Sequence, residues 1–331
     1  MSPMLLNRAL ERTAEFLEKR SGAVALIARA EIGRAGDDDE LEGTRLIRSL
    51  LDDQSRDGSF DGDLARTAQV LMEMREISNA AGLSEMDPGI GRALDWLRSC
   101  QGQPGRWSDG CTDERHAAGL CHHFLGGFFS PAPPDAALEP LDVSCGITLE
   151  EDGDIRFVSS CLALRALWRW DAHAPDAGLH LDGVQRALEQ ARPPVVALSP
   201  ETALEGLVTL LDDPDASDTG LETVVHGLED LATRQLGDGS WTNVDVFHTL
   251  DVLLRASERG LVTGAVARAL DHSARLLASA QQPDGSWGSE AADRRALLGW
   301  RAMRWAAGRE EEGASSGPLQ KHVHDDQPAD Q

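Results

Sequence analysis

The sequence predicts an all-α chain folded as an α/α toroid of about six helical hairpins, and three observations predict it. The phrase Asp-Gly-Ser-aromatic recurs as Asp57-Gly58-Ser59-Phe60, Asp238-Gly239-Ser240-Trp241 and Asp284-Gly285-Ser286-Trp287, with a glutamine three residues upstream of each: Gln54, Gln235 and Gln281. The glycines keep a near-constant period. Gly58, Gly105 and Gly153 are 47 and 48 residues apart, and Gly239 and Gly285 are 46 apart. Regular self-similarity on that scale is the mark of a repeat architecture. Finally, each phrase closes one helix-like run and opens a second that is more apolar than the first.

Each element follows from local chemistry. Asp and Gly suit a tight turn, and Ser or Asp caps the helix after it. A worn copy of the phrase runs from Gln101 to Trp107, and an unmarked one is expected at 197–201, where Pro193-Pro194 and Ser199-Pro200 break the chain. The second helix of a unit is the more apolar, as from Phe157 to Trp168. The first, as from Ala265 to Gln281, alternates Arg and Asp with Leu and Ala at helical spacing. Apolar helices inside and amphipathic helices outside close naturally into a ring, with an open solenoid of the same repeats as the rival. The glutamines and tryptophans read first as structural: an amide satisfies helix-end backbone groups, and an indole packs over the turn between units.

Composition sets the context. Six such units account for residues 1–307 as one domain, with the repeats over about 50–305. From Gly308 to Gln331 a Gly, Ser, Pro and Asp-rich acidic tail is expected to be disordered, with His322 and His324 solvated in it. No apolar run is long enough for a transmembrane helix, and Met1 to Leu17 carries charges where a signal peptide needs an apolar stretch. Five cysteines without paired spacing fit reduced thiols in a cytoplasm. A net charge of −25 opposes nucleic acid and anionic membranes as partners. Gly36 to Glu40 reads as a loop with a helix cap, since it lacks a helix-borne Asp-x-x-x-Asp spacing.

The Gln-x-x-Asp-Gly-Ser-Trp repeat resembles that of squalene and oxidosqualene cyclases and of protein prenyltransferase β subunits. The resemblance implies a central cavity for a small apolar, isoprenoid-type substrate, with chemistry near the starts of the inner helices. Two stretches carry it further. Asp109-Gly110-Cys111-Thr112-Asp113-Glu114 is similar to a cyclase motif whose Asp donates a proton and whose Cys orients it. It is equally similar to the Asp-Gly-Cys of the β subunits, where Asp and Cys bind zinc. Gly110 is an insertion relative to the cyclase motif, and on a helix one inserted residue rotates those after it by about 100°.

Asp245-Val246-Phe247-His248-Thr249 is similar both to the Asp-x-Asp-Asp-Thr of class II cyclases and to the Asp-Phe-Tyr-His-Thr of the β subunits. The first reading makes Asp109 the acid, Cys111 its orienting partner, and Asp245 with His248 the opposing polar pair, with no cofactor. The second makes Asp109, Cys111 and His248 zinc ligands, which must then meet at about 2.0–2.3 Å from one metal. Phe124, Phe128, Trp168 and Phe247 are the candidate substrate lining, in a chain with no Tyr and only 5% aromatic residues. A third reading makes the toroid a non-catalytic binding protein, favoured if the centre is too polar for a prenyl chain. The sequence names no protein partner.

Overall fold

The computed structural model describes residues 3–100, 137–173, 177–190 and 198–315. Among them are twelve α-helices: α1 (Pro3–Glu18), α2 (Ala23–Ile32), α3 (Asp39–Asp52), α4 (Leu64–Ala80), α5 (Pro88–Ser99), α6 (Asp152–Arg169), α7 (Ala177–Gln190), α8 (Pro200–Asp212), α9 (Asp218–Thr233), α10 (Val246–Glu258), α11 (Gly264–Ala280) and α12 (Ala292–Ser315). A single antiparallel hairpin, β1 (Leu141–Val143) and β2 (Ile147–Leu149), stands between α5 and α6. The chain is mostly helical, as its periodicity predicts.

The helices start where capping chemistry places them. Asp63, Asp87, Ser199, Ser217, Asp245 and Thr263 each accept a backbone N–H from the first turn of the next helix. Pro88 and Pro200 occupy first helical positions, where the missing N–H costs nothing. The even-numbered helices are the buried ones. Every residue of α6 from Ile155 to Leu167 is buried, and so is every residue of α10 from Phe247 to Leu254. The odd-numbered helices bury a stripe, as α9 does with Gly220, Val224, Leu228 and Leu231.

Packing among the even helices returns to its start. Helix α2 lies on α4, α4 on α6, α6 on α8, α8 on α10, α10 on α12, and α12 on α2 again. The odd helices back them from outside this cycle: α1 against α2 and α12, α3 against α2 and α4, α5 against α4 and α6, α7 and α9 against α8, α11 against α10 and α12.

The repeated phrase is one turn built three times. Asp57, Asp238 and Asp284 each accept the backbone N–H and the hydroxyl of the serine two residues on. Gly58, Gly239 and Gly285 come next at φ 100°, 96° and 95°. The upstream glutamine ties each turn to the next outer helix. Gln54 Nε2 donates to the Gly58 carbonyl at 3.0 Å and to Gly89 of α5 at 2.8 Å. Gln235 Nε2 reaches the Gly239 carbonyl at 3.0 Å and α11 through the Ala269 carbonyl and Ser273 Oγ, both at 2.9 Å. Gln281 Nε2 does the same to α1, through Thr13 Oγ1 at 2.6 Å and the Ala9 carbonyl at 3.1 Å. Trp241 and Trp287 turn back over their units, each indole N–H donating to a carbonyl ten residues earlier, Leu231 and Leu277.

One turn glycine of the expected period is corrected: Gly153 sits inside the first turn of α6. Among the described residues, α4 packs directly on α6, and the chain between α5 and α6 passes through 101–136, outside the described residues. The pair α1–α2 has no Asp-Gly-Ser phrase; its turn uses Gly22 at φ 92°. The worn copy at 101–107 lies outside the described residues. The tail expected from 308 begins as helix, because α12 runs on to Ser315. Arg309 stacks on Trp305 one turn earlier, with 5.1 Å from guanidinium to ring centre, and Glu310 to Glu312 are good helix formers. Among the described residues, no helix is long and apolar enough to cross a membrane.

Candidate functional site

Of the residues singled out in the sequence, Asp109, Cys111, Phe124 and Phe128 lie outside the described residues. Asp245, Phe247 and His248 open α10. Asp245 is the N-cap: its Oδ1 accepts the N–H of Phe247 at 2.8 Å and of His248 at 3.1 Å, and its Oδ2 faces Arg295 of α12 at 3.3 Å. Its own N–H donates to Glu201 Oε1 of α8 at 2.7 Å.

His248 is wholly buried and is held by two carboxylates of α8. Its Nδ1 makes a short contact to Glu201, and its Nε2 meets Glu205 Oε1 at 3.1 Å. Burial alone would lower the imidazole pKa; Glu201 and Glu205 outweigh it and raise it to about 10. At neutral pH His248 is therefore an imidazolium, donating from both nitrogens. The expected side-chain pairing of Asp245 with His248 is not the one formed: Asp245 reaches His248 through the backbone, and the ring goes to Glu201 and Glu205. Both ring nitrogens of His248 are engaged, by Glu201 and by Glu205; Asp109 and Cys111, the other two ligands of the zinc reading, lie outside the described residues. Among the described residues, no group of three or more His, Cys, Asp or Glu side chains is placed to hold a metal.

From His248 a chain of ion pairs runs through the inner helices. Glu205 binds Arg165 of α6 at 2.6 Å, and Arg165 binds Asp212 of α8 at 3.0 Å. Asp212 is shared with Arg255 of α10 at 3.2 Å and with Arg169 of α6 at 3.4 Å. Arg255 holds Asp251 at 3.1 Å. Arg169 and Arg294 of α12 both bind Glu76 of α4 at 3.1 Å, and the second pair links helices that are not neighbours in the cycle. Burial works to raise these carboxyls, but the guanidiniums around them prevail. Glu76 is held down to about 2, and Asp212, Glu205 and Asp251 also lie below the usual carboxylate range. Glu73, one turn before Glu76 on α4, is the contrast: burial raises it, and the Glu76 charge adds to the rise.

The aromatic candidates are packed. Phe247 meets Trp287 edge-on at 5.9 Å between ring centres and lies under the Arg295 guanidinium at 5.4 Å. Trp168, near the end of α6, is partly buried against the apolar core. A groove of about 540 Å³ opens elsewhere, between Leu254, Ser257, Trp300 and Trp305.

The hairpin is the part of this region that the sequence does not announce as helical repeat. Gln69 Nε2 of α4 donates to the Asp142 carbonyl at 2.6 Å, and Arg295 Nε of α12 donates to the Cys145 carbonyl at 3.1 Å. The tip from Ser144 to Gly146 touches α10 and α12. Its signal is nonetheless present: Leu141, Val143, Ile147 and Leu149 alternate with polar residues about Gly146. Glu205, Arg165, Arg255 and Arg294 also escape the sequence expectations, though each charge stands in or beside an apolar inner-helix run and so demands a partner.

Stability should fall on both sides of neutrality. His248 has its folded pKa raised from 6.5 to about 10, so its contribution is full below 6.5 and is lost as pH rises through 10. Glu76 is lowered from 4.5 to about 2, so its contribution is present above 4.5 and is lost as pH falls through 2. Urea midpoints measured across this range should decline at both ends. His248→Gln should flatten the alkaline limb alone; an unchanged alkaline slope would refute the charged imidazole. Compared with known protein families and with curated proteins, the chain matches none of them.

Proposed function

We propose that the cycle of even helices is the inner wall of an α/α toroid, and that this toroid acts as a binding scaffold. One observation carries the reading: buried ion pairs join the even helices α4, α6, α8, α10 and α12 to one another. A prenyl chain gains nothing among paired guanidiniums and carboxylates, and a carbocation is repelled by arginine. The polar groups that open α10 are committed as well, Asp245 to capping and Arg295, His248 to Glu201 and Glu205. Arg165, Arg169, Arg255 and Arg294 are matched in the network by Glu76, Glu205, Asp212 and Asp251, so the net charge of −25 is carried by the rest of the chain and favours a basic protein partner over nucleic acid. Free Cys100, Cys145 and Cys161 accord with a cytoplasmic setting, which belongs to the same proposal. Incubation with squalene and with prenyl diphosphates, followed by mass spectrometry, should yield no cyclised or transferred product. Any such product sinks the scaffold reading.

Acid-initiated cyclisation or isomerisation of an isoprenoid is the second reading, and Glu73 favours it. It is a described inner-helix carboxyl biased toward keeping its proton, which an alkene-protonating acid must do. The resemblance assigns that role to Asp109 with Cys111. If turnover is found, Asp109→Asn and Glu73→Gln separate the two acids by which one abolishes it. The zinc-dependent transferase reading makes its own prediction: zinc bound per chain should fall in His248→Gln. We expect elemental analysis to give the same zinc content for both proteins.

A further inference from the structure

We propose that the β1–β2 hairpin is a displaceable plug, whose tip closes the end of the helix cycle at which α10 and α12 begin and swings out while the helices stay folded. The proposal concerns motion of the chain itself and does not depend on what the scaffold binds. The two strands are three residues each and pair only with one another. A hairpin of that size is marginal alone, so what it rests on decides whether it stays. Among the described residues it is held by two side-chain bonds, from Gln69 and Arg295, and by the burial of Leu141, Val143, Cys145 and Leu149.

The tip is also held in a conformation that L residues avoid. Cys145 has φ 71° and is followed by Gly146 at φ 80°. A non-glycine residue in the left-handed region is a cost that folded surroundings must offset, and such residues gather at moving or functional segments. Both feet of the hairpin are fastened at one place, since the Leu138 N–H donates to Asp152 Oδ1 at the start of α6, at 3.1 Å. That makes a hinge. The helices lose little when the tip leaves: Arg295 keeps Asp245 at 3.3 Å and its stack on Phe247 at 5.4 Å, and the ion pairs of Glu76, Arg165, Asp212 and Arg255 do not involve the hairpin.

Two buried thiols make the motion measurable. Cys145 sits at the tip, and Cys161, within α6, reports unfolding of the helices. The native protein is treated with iodoacetamide, and each cysteine is followed by peptide mass spectrometry. Cys145 should be alkylated at least about tenfold faster than Cys161, as expected for an opening that leaves the core intact. Gln69→Ala, which removes one bond to the hairpin, should speed Cys145 about fivefold and leave Cys161 unchanged. Equal rates at the two cysteines in the wild-type protein would overturn the plug, because the hairpin would then open only with the whole fold. Should Gln69→Ala fail to fold, the wild-type ratio decides by itself.

Discussion

Arg255→Met is expected to cost the folded state about 3–5 kcal/mol, because it strands a buried carboxylate. Arg255 is the ion-pair partner of Asp251, at 3.1 Å, one turn away on α10. Asp251 is almost wholly buried, and Arg255 heads the charges that keep it ionised. Asp212, the other partner of Arg255, still has Arg165 and Arg169. The loss should therefore come chiefly from Asp251, and a second substitution can show it. Asp251→Leu with Arg255→Met removes the pair together and should recover much of the stability, since a buried pair replaced whole by apolar groups is often nearly neutral. Chemical denaturation of the two single variants and the double gives the coupling. Strict additivity would mean that the pair is not the unit of stability.

Gly285→Ala should cost about 3 kcal/mol, for two reasons that add. Gly285 has φ 95°, where a Cβ is strained whatever the space around it. A Cβ there would also stand 2.3 Å from the Arg12 carbonyl oxygen and 2.8 Å from its carbon. Those are backbone atoms of α1 and cannot rotate away, so α1 must shift and pull Thr13 off Gln281. Gly288 supplies the control, with φ 104° and nothing within 4 Å of its would-be Cβ. Gly288→Ala should cost only the backbone strain, about 1–2 kcal/mol. Equal losses at the two positions would show that close approach to α1 contributes nothing. Thermal melts of both variants decide it.

How much was legible in the sequence varies with the kind of interaction. The turns were legible because Asp-Gly-Ser encodes a local geometry that needs no partner. Helix layering was legible because an unbroken apolar run such as 155–167 and a striped one such as α9 differ within a single helix. The assignment of pairs was not: the α1–α2 turn works with Gly22 alone, and no spacing rule shows that α4 packs on α6 across the intervening chain. At the site, Asp245 could be recognised as a helix start, and it is one. The partners of His248 could not be, because Glu201 and Glu205 lie 47 and 43 residues away; Glu201 resembles an ordinary helix-start acid, and Glu205 is a charge inside an apolar run whose partner the sequence does not name. A buried histidine takes its meaning from the charges that reach it, and those are set by tertiary packing. The resemblance to reactive motifs reported the similarity of one helix start, without the neighbours that decide its protonation.

The reach of Gln281 to α1 repeats what Gln235 does to α11, and this has a consequence for how the protein comes apart. A linear array of hairpins can fray, shedding a terminal repeat while the remainder stands. A cycle offers no terminal repeat to shed. Melting any one hairpin deprives two others of a flank, so partial unfolding is penalised twice and denaturation should be a single sharp event.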